Sequence, residues 1–373
     1  MSGSEHHIQI DSGKRLAEQP TRGHNRWHPE IPPVLRVDAG DRVTIETLDA
    51  FDGQITPDSS AGDIRAIDLN LVHPLTGPVY VNGAEPGDLL EVRLLGVKPA
   101  DFGYTILVPG FGFLRDEFPE PFIVKWEIAN GYAHSADLPG VRISGAPFPG
   151  TIGLAPSRRL LAEITNREQA LAATGGFVLT PASAGAVPSA GRPAAEGLRT
   201  IPPREIAGNL DIKQLTAGAK LFVPVSEQGA LFSIGDAHFA QGDSECCGTA
   251  IEMNAAFDLE FHLLKGEARR RSLRRPEFSH DSYMPPDSLA GPRRFYATTG
   301  MSITREGQNR SEDVTLAVRD ALLNMIDYLQ DRYGYSREQS YALCSVAVDL
   351  KVSELVDVPN VTVSAFLPLD VFI

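Results

Sequence analysis

Phe257-Asp258-Leu259-Glu260-Phe261-His262-Leu263 alternates apolar and polar side chains without a break. A strand projects successive side chains to opposite faces, so this run commits Phe257, Leu259, Phe261 and Leu263 to a core. Asp258, Glu260 and His262 then point away from it, and His262 is read as inert. Shorter apolar stretches of the same period recur in the first half of the chain, most clearly at 43–48, 79–81 and 90–94. Ala39-Gly40-Asp41 and Pro86-Gly87-Asp88 separate them and supply turn chemistry through Gly and Asp. β-structure therefore decides the fold.

Helical spacing is confined to three places. Ser157 can cap a helix running to about Ala173, with Leu160, Leu161, Ile164 and Ala170 on one side and Gly175-Gly176 beyond its end. Ser311, Glu312 and Asp313 open a second, striped by Val314, Val318, Ala321, Leu322, Met325 and Leu329 and ending at Gly334. Ser336 and Gln339 form a capping box for a third. Closing strands are expected at 345–350 and 361–366. Residues 181–203 are dominated by Pro, Ala, Gly and Ser, lack either apolar period, and read as a loop or linker. The expected fold is α+β with β dominant: two β-rich, sandwich-like lobes, 1–180 and 204–373, in one unit, with the C-terminal helices packed on one side.

Composition narrows the function classes. A chain of 373 residues can bury a core without disulfides, and its three cysteines, two of them adjacent at Cys246 and Cys247, are the wrong set for a disulfide framework. No apolar run approaches the length of a membrane span, and the first residues lack a secretory pattern, so a cytoplasmic protein is expected. The net charge of −14 repels phosphate backbones and anionic lipid, which argues against nucleic acid and membrane partners. The basic cluster Arg269, Arg270, Arg271, Arg274 and Arg275 reads as a solvated loop or a subunit salt-bridge patch.

The chemistry-bearing stretch is 235–252, GDAHFAQGDSECCGTAIE. In extended backbone Asp236 and His238 share a face, roughly 6.5–7 Å apart, and can converge on one cation. Carboxylate plus imidazole is an acceptable ligand set for zinc. Gly235 and Gly242 allow a bend that brings Asp243 or Glu245 back to the same point. Acid-rich glycine loops are also commonly plain solvated turns. Glu46 and Asp49 end a strand, and Asp52-Gly53-Gln54 follows in a turn, where acids could contribute to a site between lobes. His24 and His28 have ligand-like spacing, but an i, i+4 pair converges only on a helix and Pro29 opposes one. They are read as substrate-loop or packing residues. Cys247 beside Glu245 keeps a cysteine nucleophile open, and a non-catalytic binder of a small amide or metal is the third reading.

Several long motifs in order carry a resemblance: HNRWHPEIPPVLRV at 24–37, ETLDAFDGQI at 46–55, HPLTGPVYVNGAEPGDLLEV at 73–92, GYTILVPGFGFLRDEFPEPFIVKW at 103–126 and GDAHFAQGDSECCGTAIEM at 235–253. Together they resemble the acetamidase/formamidase family, and its formamidase branch in particular, nearly end to end. The resemblance implies a β-rich, zinc-binding homo-oligomer that hydrolyses short-chain amides, formamide first, without an organic cofactor. Its acidic-histidine segment falls on Asp236, His238, Asp243 and Glu245, and its N-terminal acidic pair on Glu46 and Asp49. The expected site is Asp236, His238 and Asp49 on the metal, Glu245 as base with Asp243 beside it, and His73, Gln54 and Glu252 toward the substrate.

Overall fold

In the computed structural model, which describes residues 3–283 and 294–373, the alternation at 257–263 lies in the long strand Ala255–Leu264. Phe257, Leu259 and Phe261 are fully buried there. His262 is only partly buried and its Nε2 lies 2.5 Å from Glu260 Oε1, away from any candidate site. The strand pairs antiparallel with Arg42–Thr47 on one side and Leu89–Pro99 on the other. Glu5–Ile8, Ala219–Pro224 and Glu277–His280 complete this first sheet.

A second, larger sheet follows the path Arg142–Ser144, Tyr132–His134, Phe122–Ala129, Phe102–Leu107, Glu252–Met253, Phe232–His238, Phe148–Leu154, Ala207–Asn209. Leu75–Val81 also pairs with Phe232–His238, where the register shifts between Phe232 and Ile234. Each large sheet takes strands from both sides of 181–203, so the sheets, not the chain halves, are the structural units. Phe232 of one and Phe261 of the other meet edge-to-face at 5.0 Å within a single apolar cluster that draws on both.

The helix Arg158–Ala173 is capped by Ser157, whose side chain accepts from Leu160 N–H. Val314–Tyr333 is capped by Asp313 and closed by Gly334 at φ 74, a left-handed conformation that glycine adopts without a Cβ penalty. The Ser336/Gln339 capping box forms, and its helix runs Arg337–Ala347. Ser345 is therefore helical, and the strand expected from 345 begins only at Asp349. The apolar run 341–348 is helical because its burial serves a helix wedged against the core, a case in which apolar length does not separate helix from strand. Asp349–Glu354, Thr362–Pro368 and Phe295–Met301 form a small sheet against which Val314–Tyr333 packs. No helix among the described residues is long and apolar enough to cross a membrane. Arg270, Arg271 and Arg275 of the basic cluster meet Glu267, Glu277 and Glu205 of the same chain.

The low-complexity stretch 181–203 is pinned rather than free. Arg26, with no exposed surface, donates to the carbonyl oxygens of Asn25, Asn70, Ala182 and Ala184 at 2.8–3.3 Å. Asn25 bonds Gly185 O and Val187 N, and Trp27 exchanges backbone bonds with Leu198. His28, read as a substrate-loop or packing residue, places its Nε2 3.1 Å from Glu196 Oε1. Truncating Arg26 removes a fully buried side chain together with the donors to the buried Asn25 carbonyl and the partly buried carbonyls of Asn70 and Ala182, and a buried acceptor left unpaired costs roughly 1–3 kcal/mol. Arg26→Ala should lower the free energy of unfolding by at least about 3 kcal/mol in a denaturant titration; a loss below about 1 kcal/mol would show that the clamp is dispensable.

Candidate active site

The strand Phe232–His238 lies inside the larger sheet and all of its residues are buried. It brings Asp236 and His238 together, through a left-handed Asp236 and not the extended backbone expected: His238 Nε2 lies 3.2 Å from Asp236 Oδ1. The neighbouring strand pairs Glu252 directly with His238, which puts Glu252 Oε2 3.2 Å from the same nitrogen. The loop after the strand turns at Ser244 and Glu245 and returns Glu245 Oε1 to 3.8 Å from it. Asp211, from the loop after Ala207–Asn209, completes a second group with His238 and Glu245. These two sets, Asp236/His238/Glu252 and Asp211/His238/Glu245, each offer ligand atoms within 4.8 Å of one another.

The backbone is bent to achieve this. Asp211, Asp236, Ser244 and Glu245 have φ of 50°, 55°, 83° and 48°, a region costly for residues with a Cβ. Strain of about 1–3 kcal/mol per residue persists only where surrounding structure enforces it, and four of the eleven such residues among the described ones lie here. Gly150 leaves the room: a Cβ there would come within 2.7 Å of Asp236 Oδ2 and His238 Cε1 and 2.8 Å of Asp211 Oδ1. The Gly150 carbonyl in turn accepts from Leu210 and Asp211 N–H, fixing the loop that carries Asp211.

Burial and mutual charge set the ionisation of the cluster. Burial would raise Asp236, but His73 and His238 outweigh it and hold the carboxyl well below the usual range. Burial would lower His238, but Glu252 and Asp236 keep its imidazole protonated well above the ordinary histidine value. Burial pushes Glu252 up to about 7, and burial together with neighbouring acids carries Asp211 and Glu245 well above normal. The Thr151 hydroxyl lies 3.0 Å from Asp236 Oδ2, and Ala250 N–H donates to Glu252 Oε1 at 2.8 Å. Glu252 Oε2, Asp211 Oδ1 and His73 Nδ1 are buried with no well-directed hydrogen bond.

The cluster faces a cavity of about 580 Å³ lined by His73, Asp211, Asp236, Ser244, Glu245 and Glu252 at its polar end and by Phe51, Val72, Phe111, Phe177, Ile201 and Leu210 elsewhere. His73 Nε2 is 4.0 Å from Asp236 Oδ2, and its backbone N–H donates to Thr200 Oγ1. Three expected members lie elsewhere. Asp49 accepts from Tyr104 O–H and from Phe51 and Gly53 N–H, so its carboxylate closes the 49–53 turn and belongs to neither candidate ligand group. Gln54 is held by Phe51 O and by both backbone groups of Asp68, outside the cavity lining. Asp243 pairs with Lys213 at 3.1 Å and does not line the cavity. Glu46 meets His7 at 3.0 Å near the surface. Sequence reading missed Asp211, Gly150, Thr151 and Gln241. Only Gln241 stood inside a stretch that drew attention, and Asp211 sits in an ordinary polar run.

Comparison with known proteins agrees with this fold. The chain is 38% identical to Formamidase of Methylophilus methylotrophus, covering 98% of this chain and 93% of the relative. It is also 38% identical to Acetamidase of Mycolicibacterium smegmatis, covering 90% and 88%. Among solved structures, the gamma lactamase from Delftia acidovorans superposes with a TM-score of 0.93 at 38% identity, over 99% of this chain and 93% of that one. The family profile itself matches residues 9–373, which takes in every residue of the cluster and every strand of both large sheets except Glu5–Ile8, and the chain belongs to the Acetamidase/Formamidase family.

Proposed function

We propose that this protein hydrolyses a short-chain aliphatic amide, formamide to formate and ammonia, at a zinc site held by Asp236, His238 and Glu252. The observation that carries the reading is the convergence of two carboxylate and imidazole groups on His238, with ligand atoms within 4.8 Å of one another, beside buried polar atoms that have no well-directed hydrogen bond: Glu252 Oε2, Asp211 Oδ1 and His73 Nδ1. Such atoms cost about 1–3 kcal/mol each unless a ligand meets them. One imidazole nitrogen among carboxylate oxygens is a donor set that zinc accepts. Zinc, when bound, supplies a Lewis acid that polarises an amide carbonyl and eases deprotonation of water.

The chain's own groups supply the rest. Glu245 lines the cavity beside the ligand group and is the general base: it takes a proton from the water attacking the amide carbon and delivers it to the departing nitrogen. Asp211, in the same cluster, can hold that proton with it. His73, with Nδ1 unpaired and its backbone fixed by Thr200, orients the amide. Phe51, Val72 and Ile201 exclude water from the acyl side. Glu252 thus moves from the expected substrate side to the metal, and Asp49 and Asp243 give way to it and to Asp211.

A cysteine nucleophile has less support. Cys247 is buried, does not line the cavity, and burial pushes its thiol up to about 11, so little thiolate forms near neutral pH.

His238→Ala should lose both zinc and activity. Glu245→Gln should keep stoichiometric zinc and melt normally while kcat falls by about 10²–10⁴-fold. A near-normal rate per bound zinc would move the base to Asp211. On the intact enzyme, a chelator should abolish ammonia release and added zinc restore it. Rates on formamide, acetamide and a γ-lactam then rank the acyl groups, and a thiol reagent that inactivates the metal-loaded enzyme would favour the cysteine reading instead. We also propose a homo-oligomer, supported by the exposed apolar side chains Phe295, Met301 and Val352 on the small sheet. Light scattering should give a mass well above the 40.3 kDa of one chain, and a value near it counts against assembly.

A further inference from the structure

Gln241 is 1% exposed and bonded at both ends of its amide. Its Nε2 donates to the Asp211 carbonyl at 2.9 Å, and its Oε1 lies 2.9 Å from His238 Nδ1. A backbone carbonyl has lone pairs and no proton, so the first bond fixes which end of the amide is which. The end facing His238 is therefore the oxygen, and an amide oxygen only accepts. Nδ1 must carry hydrogen.

The consequence falls on the other side of the ring. A neutral imidazole has one N–H, so protonation at Nδ1 leaves a lone pair at Nε2. That lone pair points at Asp236 Oδ1 and Glu252 Oε2, each 3.2 Å away, with Glu245 Oε1 at 3.8 Å. Lone pair against carboxylates is repulsive unless a proton or a cation lies between. Of the two protons an imidazolium carries here, only the one on Nε2 can leave without breaking the Gln241 bond. The backbone around Gln241 is held on both sides, since Ala240 O accepts from Ile251 N–H and Gly242 N–H donates to Ser345 O. The amide has little room to turn over.

We propose that Gln241 is a positioning residue that fixes His238 as the Nδ1–H tautomer and so reserves Nε2 for a divalent cation. The proposal rests on the metal reading above. Through its second bond Gln241 also ties the histidine to the loop that presents Asp211, so one side chain registers both candidate ligand groups.

The test titrates zinc into chelator-stripped protein against a chromophoric competitor, for wild type, Gln241→Met and Gln241→Glu, with melting curves of the metal-free forms. Methionine keeps the length and removes the acceptor; glutamate keeps an acceptor for Nδ1–H and removes the donor to Asp211. Gln241→Met should weaken zinc binding by about 10–100-fold, and Gln241→Glu should restore it. A purely structural role predicts equal losses in both, because both lose the bond to Asp211, and that result would overturn the proposal. So would wild-type affinity in Gln241→Met. Independently of any variant's folding, ¹⁵N–¹H spectra of the zinc-loaded wild type should place the His238 proton on Nδ1, and a proton on Nε2 would refute the assignment. A wild-type chain that takes up no zinc overturns the metal reading, and this role with it, whereas zinc-binding wild type with an indifferent Gln241 overturns this role alone.

Discussion

Asp211, Asp236, His238, Glu245 and Glu252 are crowded into one buried or half-buried place, and that crowding is the constraint on which the rest of the structure depends. Taking a carboxylate out of water costs several kcal/mol even after relaxation, and like charges at this separation cannot all ionise without compensation. His238 offsets part of this as a cation in the metal-free protein, and its partners keep it protonated. Thr151 and the Ala250 N–H offset more. What is left over, acids pushed toward neutrality and polar atoms without partners, is a deficit that a divalent cation would remove. The site is thus destabilising by itself, and the apolar cluster shared by the two large sheets must hold it together.

The scaffold meets this demand by dividing labour between rigid strands and bent loops. Asp236, His238 and Glu252 stand on paired strands, where register sets His238 opposite Glu252, and a left-handed Asp236 is the one bent residue among them. Glu245 and Asp211 come from loops whose backbones are forced into left-handed conformations. Groups that must stay put are on the sheet, and groups that must reach the cavity are on loops tied down at both ends, as Asp211 is by Gly150 O on one side and Gln241 on the other. A loosely held loop would let the acids swing apart and relieve their repulsion, which would remove the site.

Much of this was legible in the sequence, for physical reasons that can be named. The alternation holds at Phe257, Leu259 and Phe261 because a half-buried strand has little to override its period, and it fades at Leu263, which is only partly buried near the strand's end. The caps at Ser157, Asp313 and Ser336 survive because they satisfy backbone groups locally. Asp236, His238 and Glu245 meet because they lie in one short stretch of chain, although the bends fall at Asp236, Ser244 and Glu245 and not at Gly235 or Gly242. Asp49 misled because a carboxylate at a strand end serves equally well to close a turn, and the deciding partner, Tyr104, is 55 residues away. Asp243 misled because Lys213 claims it from a segment with no pattern of its own. Asp211 could not be found at all: its role arises from a strand pairing between Phe148–Leu154 and Ala207–Asn209 that no periodicity announces.

The stretch with the weakest sequence signal proves to be close to the chemistry. Residues 181–203 have the composition of a linker, yet the chain just after their anchored part supplies Thr200, whose hydroxyl holds the His73 N–H, and Ile201 and Pro203, which wall the cavity. Arg26 and Asn25 fasten the start of the stretch, Trp27 fastens Leu198, and Arg199 donates to Leu69 and Asn70 just before His73. The polar face of the cavity is therefore set by the sheet and its loops, while one apolar wall and the placement of His73 are set by a segment that has no secondary structure beyond the short helix Gly191–Glu196. The shape of this segment is set by side-chain anchors more than by strand pairing. A change in this wall alters the apolar side of the cavity while leaving Asp236, His238 and Glu252 where strand pairing holds them.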